Sequence, residues 1–136
     1  MDSYSELRRK GEHSKFSAHN HISVTNEDGQ VRGELRITEE SLNMLGVVHG
    51  GCLCALADSV AGTLVAADGR AGVTLSCNMN YLRPAVGEVG KTITCTGRLQ
   101  KSGRTIAVCD TYLTNEAGAL VATGTFTFFM VEPPQK

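Results

Sequence analysis

Asp58 is the only Asp, Glu, Lys or Arg between Ser41 and Ala67, in the stretch SLNMLGVVHGGCLCALADSVAGTLVAA. A charge placed inside an apolar helix costs several kcal/mol unless it is paired or neutralised. The helix itself offers no partner, because the residues three and four positions away are Cys54, Ala55, Ala61 and Gly62. An unpaired carboxylate in a dry pocket is a stronger base and nucleophile than one in water. Upstream sits His49-Gly50-Gly51. If the helix opens there, its first N–H groups and a partial positive charge of about half a unit face outward. Gly50 lets another atom approach that backbone with no side chain in the way. One end of the segment can thus stabilise developing negative charge, and its middle carries a base or nucleophile. Plainer readings of the same residues stand beside this one. Asp58 can be a core carboxylate bonded to backbone or a structural group at an interface, His49 a cap-like hydrogen bonder, and Gly50-Gly51 a tight turn.

Gly50 and Asp58 are eight residues apart. At 1.5 Å per residue that is about 12 Å along one helix axis. A single reacting group cannot touch both. If both serve one site, they must come from different chains, as in a dimer with two antiparallel helices.

The elements that would position these residues follow from periodicity. Residues 1–15 are polar and read as a short helix or loose arm. His19 to Thr25 and Val31 to Ile37 are expected strands joined by Asn26-Glu27-Asp28-Gly29. Gly50 to Ala67 is apolar around its whole circumference, so it must be enclosed on most sides. Asp68-Gly69-Arg70-Ala71-Gly72 stops it. Beyond that the pattern is β only. Val73, Leu75, Cys77, Met79 and Tyr81 alternate strictly with Thr74, Ser76, Asn78 and Asn80. Strands are expected over Thr92 to Lys101, Thr105 to Asn115 and Leu120 to Val131, with turns at Ser102-Gly103 and Glu116-Ala117-Gly118. The order β-β-α-β-β-β-β with short connections predicts an α+β domain spanning 1–136, one helix covered by one curling antiparallel sheet.

Composition narrows the class. The chain has 136 residues, 41% hydrophobic and 20% charged, with a formal net charge of −1. The charges of both signs are scattered, which gives no case for nucleic acid or a membrane surface. Arg8-Arg9-Lys10 is short and flanked by Glu6 and Glu12. The five cysteines form no CxxC pair and sit among apolar or β-type neighbours. That reads as reduced thiols in a cytoplasmic protein. The N-terminal MDSYSELRRKGEH has no apolar core of the kind a secretory signal carries. The apolar run from Gly50 to Ala67 would place Asp58 mid-bilayer at a cost of about 2.5–3.5 kcal/mol, so a buried helix is the better reading. His13, His19 and His21 lack supporting Cys or carboxylate spacing, so no metal is expected.

Certain residues carry a resemblance. Asn43-Met44-Leu45-Gly46, His49-Gly50-Gly51, Leu56-Ala57-Asp58 and Asn80-Tyr81-Leu82-Arg83-Pro84 stand in this order, with Lys101-Ser102-Gly103-Arg104 at a later turn. From about residue 19 to about residue 130 the chain resembles the PaaI-like acyl-CoA thioesterases of the hotdog fold, in which a curved sheet wraps a central helix. The resemblance implies hydrolysis of acyl-CoA, with aryl or medium-chain acyl groups both open. It implies that the Gly50 N–H polarises the thioester carbonyl and that Asp58 is the catalytic carboxylate. It carries Asn43, His49, Ser59 and Thr74 into the site beside them. The strict alternation sets Thr74 on the face opposite Val73 and Leu75. Gly51 joins the substrate-binding candidates, and Arg83, Lys101 and Arg104 are candidates for the CoA phosphates or equally solvated loop charges. No cofactor is implied beyond CoA as part of the substrate. The resemblance implies a homodimer with two interfacial sites as the minimal unit and, as in many members of the family, a homotetramer. Two other functions stay open on the same fold: a non-catalytic acyl-CoA or acyl-carrier binding protein, and a dehydratase or hydratase of acyl thioesters. The placement of His49 next to Gly50-Gly51 argues against the last.

Overall fold

A computed structural model describes residues 14–131. Most of the polar 1–15 segment, including Arg8-Arg9-Lys10 and His13, lies outside the described residues, as does Glu132-Pro133-Pro134. The elements in chain order are α1 (Lys15–His19), β1 (Ile22–Glu27), β2 (Gln30–Arg36), a 3-10 turn (Glu39–Ser41), α2 (Gly50–Val65), β3 (Ala71–Tyr81), β4 (Thr92–Ser102), β5 (Ile106–Thr114) and β6 (Leu120–Val131). The six strands form one sheet in the order β1-β2-β4-β5-β6-β3. Every neighbouring pair is antiparallel.

The first strand starts later than the alternation predicts. His19 ends α1, which Ser14 caps by accepting the Ser17 N–H at 3.2 Å. His21 takes a φ of 58° and turns the chain into β1. The β1–β2 hairpin closes as expected. Asp28 and Gly29 have φ values of 54° and 83°, and Asn26 Oδ1 accepts the Gly29 N–H at 3.1 Å. Two left-handed residues in succession match the twist of the flanking strands.

The sheet curls over α2, whose Leu53, Leu56, Ala57, Val60, Ala61, Leu64 and Val65 are buried. Two glycines permit the close approach. A Cβ on Gly33 of β2 would collide with Val60, and one on Gly97 of β4 would lie 2.6 Å from Leu64 Cδ1. A larger residue there would force Val60 or Leu64 out of its place in the helix–sheet packing.

Two expectations are corrected. The helix ends at Val65 rather than Ala67 and is capped by Ala66. It is also not enclosed on most sides within one chain. Gly51 is exposed, and Cys52, Cys54, Ala55, Asp58, Ser59 and Gly62 are only half-buried. This open side faces β3, a long strand at the edge of the sheet.

Candidate active site

The head of α2 is built by His49. Its extended backbone stops the helix, and its Nδ1 accepts the Gly51 N–H at 2.8 Å. The neutral ring therefore carries its proton on Nε2. The His49 carbonyl accepts from Cys52 N–H at 2.9 Å and Leu53 N–H at 3.3 Å. Among the described residues, that leaves the Gly50 N–H as the one first-turn donor without a partner. An unfilled N–H at a helix start is a ready partner for an anionic oxygen. His49 thus acts on the helix start, and the Gly51 N–H, a substrate-binding candidate, is already used.

Asn43 shapes the approach to this point. Its Oδ1 accepts the N–H groups of Leu45 at 2.9 Å and Val47 at 3.3 Å, folding the loop that leads to His49. The loop is tied to the core by His49 N–H donating to Ser41 O at 2.8 Å.

Asp58 meets Thr74. The Thr74 hydroxyl donates to Asp58 Oδ1 at 2.6 Å, a short charge-assisted bond. The strict alternation read in β3 does not hold, and the reason is a bulge. Thr74 pairs with Phe128, but Ser76 pairs with Thr127, leaving Leu75 as the extra residue. An extra residue flips the face of everything beyond it. Gly72 and Thr74 therefore share the helix side with Cys77, Met79 and Tyr81, while Val73 and Leu75 turn outward at 59% and 61% exposure.

The result is a ladder between helix and strand. Gly50, Cys54 and Asp58 lie at successive helical turns on one face. The Gly50 carbonyl accepts from Tyr81 Oη at 2.9 Å, Cys54 Sγ lies 4.0 Å from Cys77 Sγ, and Asp58 meets Thr74. Burial raises the Tyr81 hydroxyl, and the two cysteines add to it. Burial, then Cys77 and Asp58, push the Cys54 thiol up to about 11.

Other candidates lie elsewhere. Ser59 turns its hydroxyl back to Ala55 O at 2.8 Å, within its own helix. Arg83 follows the far end of β3 and is exposed. Lys101 and Arg104, also exposed, flank the β4–β5 turn at the opposite end. Arg70 holds that turn: its Nη1 donates to Gly103 O at 2.9 Å and Arg104 O at 3.0 Å, and its Nε to Asp68 at 2.9 Å. β3 separates the two basic groups by eleven residues, about 35 Å of extended chain, so one protomer does not bring them together.

Sequence reasoning gave no role to Tyr81, Cys54, Cys77 or Arg70. Tyr81 stood inside a quoted motif, but its bond to a residue 31 positions away has no local signal.

Comparison with known proteins gives the chain's family. A family model for the thioesterase superfamily matches residues 45–122. Human acyl-coenzyme A thioesterase 13 is 35% identical over 107 residues, spanning 76% of this chain and 75% of its own length. Escherichia coli acyl-coenzyme A thioesterase PaaI is 29% identical over 99 residues, spanning 73% of this chain and 69% of its own. The PaaI structure superposes over 96% of this chain with a TM-score of 0.84. A crystal structure of a hypothetical thioesterase from Streptococcus pneumoniae with coenzyme A is 33% identical, with a TM-score of 0.75 over 84% of this chain and 91% of that one. This chain belongs to the thioesterase superfamily and is built on the hotdog fold.

Proposed function

We propose that the protein hydrolyses acyl-CoA thioesters, aryl or medium-chain, to the free acid and CoA, at two sites shared across a homodimer. The observation that carries this reading is the pairing of an open Gly50 N–H with a half-buried Asp58 on the same face of α2. The thioester carbonyl oxygen accepts from Gly50 N–H, which stabilises the oxyanion as the carbonyl becomes tetrahedral. Asp58 of the second copy either adds to the carbonyl carbon or takes a proton from the water that does. In the first route CoA leaves as the thiolate and water cleaves the resulting anhydride; in the second the acid forms directly. Thr74 holds Oδ1 of Asp58 by one hydrogen bond, which fixes the carboxylate and leaves Oδ2 to react.

The ladder supports the dimer. A two-fold axis at the level of Cys54 and Cys77 would set the Gly50 level of one copy against the Asp58 level of the other. β3 ends the sheet with one side of its backbone unpaired, and such an edge of eleven residues invites a second strand. The same operation would bring Arg83 of one copy toward Lys101 and Arg104 of the other, a basic grouping suited to CoA phosphates. Outward-facing Val73, Leu75 and Phe129 form an apolar patch that supports further pairing to a tetramer. Unpaired cysteines among the described residues favour a reducing, cytoplasmic setting.

The test is CoA release from a panel of acyl-CoAs, read with a thiol reagent. Wild type should turn over at least one aryl or medium-chain substrate. Asp58→Asn should lower kcat by about 10²–10⁴-fold without unfolding the protein. Near-full activity in that variant, or activity in a stable monomer by sedimentation, overturns the shared site. Tight CoA binding without turnover would favour a binding protein instead.

A further inference from the structure

Cys54 and Cys77 stand midway between the two reacting ends, with their sulfurs 4.0 Å apart. They belong to different elements, α2 and β3, and are separated by 23 residues in sequence. Nothing in the hydrolytic chemistry uses either thiol. In the single chain Cys77 is exposed and Cys54 is half-buried, whereas Cys95 and Cys109 are buried in the core. Cys52, the third cysteine of this region, has no sulfur neighbour among the described residues. Two thiols in contact across this open seam of the helix form a dithiol, and in the proposed dimer a small oxidant reaches it through the acyl-CoA channels on either side of the two-fold axis.

We propose that Cys54 and Cys77 are a reversible dithiol–disulfide site whose oxidation stops hydrolysis by tying α2 to β3 between Gly50 and Asp58. The effect on hydrolysis rests on the function proposed above; the formation of the bond does not. The oxidant is a hydroperoxide. The Cys77 thiolate attacks one peroxide oxygen, giving a sulfenic acid and hydroxide. The Cys54 thiol then attacks the Cys77 sulfur, water leaves, and the disulfide remains. Two thiols lose two electrons and two protons, and hydrogen peroxide becomes two waters. Closing the sulfurs from contact to bonding distance ties the strand and helix to each other at this level and fixes both side chains in the disulfide geometry. Thr74 lies three residues from Cys77, and Asp58 one helical turn from Cys54, so the crosslink acts on the two elements that carry the carboxylate and its hydroxyl partner. Reduction by a dithiol such as dithiothreitol reverses the bond.

The test treats the full chain with hydrogen peroxide and quenches it by alkylation. Non-reducing peptide mass spectrometry should find a Cys54–Cys77 crosslink. The thermal midpoint should rise, and acyl-CoA hydrolysis should fall at least tenfold and return on reduction. Cys77→Ser and Cys54→Ala should both keep their hydrolysis after the same treatment. Three results overturn the proposal: a sulfinic Cys77 with Cys54 still free, a covalent dimer joined through Cys77, or a mapped crosslink that leaves hydrolysis unchanged. If wild type hydrolyses no acyl-CoA before oxidation, the proposed function fails, while the crosslink map still decides whether the dithiol site exists.

Discussion

The two faces of α2 differ in nearly everything except their apparent hydrophobicity. On one face Leu56, Ala57, Val60 and Ala61 have no exposed surface, and β2 and β4 press so closely that a Cβ at position 33 would run into Val60 and one at position 97 into Leu64. On the other, Gly50, Cys54 and Asp58 stay partly open, and each touches one side chain of β3. The closed face removes apolar area from water and holds the sheet to the helix. The open face carries small or polar groups that contribute little to burial and keep an N–H and a carboxylate within reach of solvent. Stability and chemistry are thus divided around the circumference of one helix. A change on either face should affect one property and spare the other.

The largest stability effect belongs to the closed face. Leu56→Ala deletes a side chain with no exposed surface and leaves a cavity, which should lower unfolding free energy by about 2–5 kcal/mol. Chemical denaturation measures this directly. The hydrolysis rate per folded molecule should stay within about twofold of wild type, since a 1.4 kcal/mol change in barrier would already be tenfold. A large drop in kcat at full folding would show that the two faces are not separable.

A smaller and opposite effect is expected at the open face. Thr74→Val keeps the branched shape but removes the hydroxyl that donates to Asp58 Oδ1. A hydrogen bond to a charged group is worth about 1.5–3 kcal/mol, so kcat should fall about 10–100-fold. The thermal midpoint should hardly move, because Thr74 is exposed in the single chain. If kcat is unchanged and KM alone rises, Thr74 touches substrate rather than orienting the carboxylate.

The two faces were unequally legible in the sequence. The start of α2 could be placed because His49-Gly50-Gly51 interrupts a loop with a capping residue and two residues that carry no side chain. The succession of strands and helix along the chain was readable from alternation and turn glycines, and β6 runs from Leu120 to Val131 as its pattern predicts, but the placing of β3 beside β6 was not. The bulge at Leu75 was not readable. Leu75 continues an unbroken apolar alternation, and only its pairing with β6 reveals it as the extra residue. For the same reason the Thr74–Asp58 contact ran against the periodicity and stood on family resemblance alone. The open side of the helix was hidden too, because apolar letters around a helix do not say which chain covers them.

Asp110 offers the sharpest control, because it is a carboxylate satisfied within the protein and remote from the ladder. It lies on the outer face of β5, where Thr125 Oγ1 donates to its Oδ1 at 2.9 Å, Gln100 donates to Oδ2 and Arg98 sits 3.6 Å away. The Gln100 bond, then those from Thr125 and Arg98, hold its carboxyl below the usual carboxylate range. A folded value below the unfolded one, about 3.9, means that Asp110 stabilises the protein above about pH 4. That contribution is lost as pH falls through the folded value, where the bound proton weakens all three interactions. Asp110→Asn should therefore lower stability at neutral pH by about 1 kcal/mol or less, given the partly solvated setting. It should also flatten the acid limb of the stability curve while leaving hydrolysis unchanged. Denaturation midpoints between neutral pH and pH 3, with rates measured on the same samples, would show this. Loss of hydrolysis in Asp110→Asn would mean that the outer face of the sheet communicates with the ladder, and the division between a structural and a reactive side of the molecule would have to be redrawn.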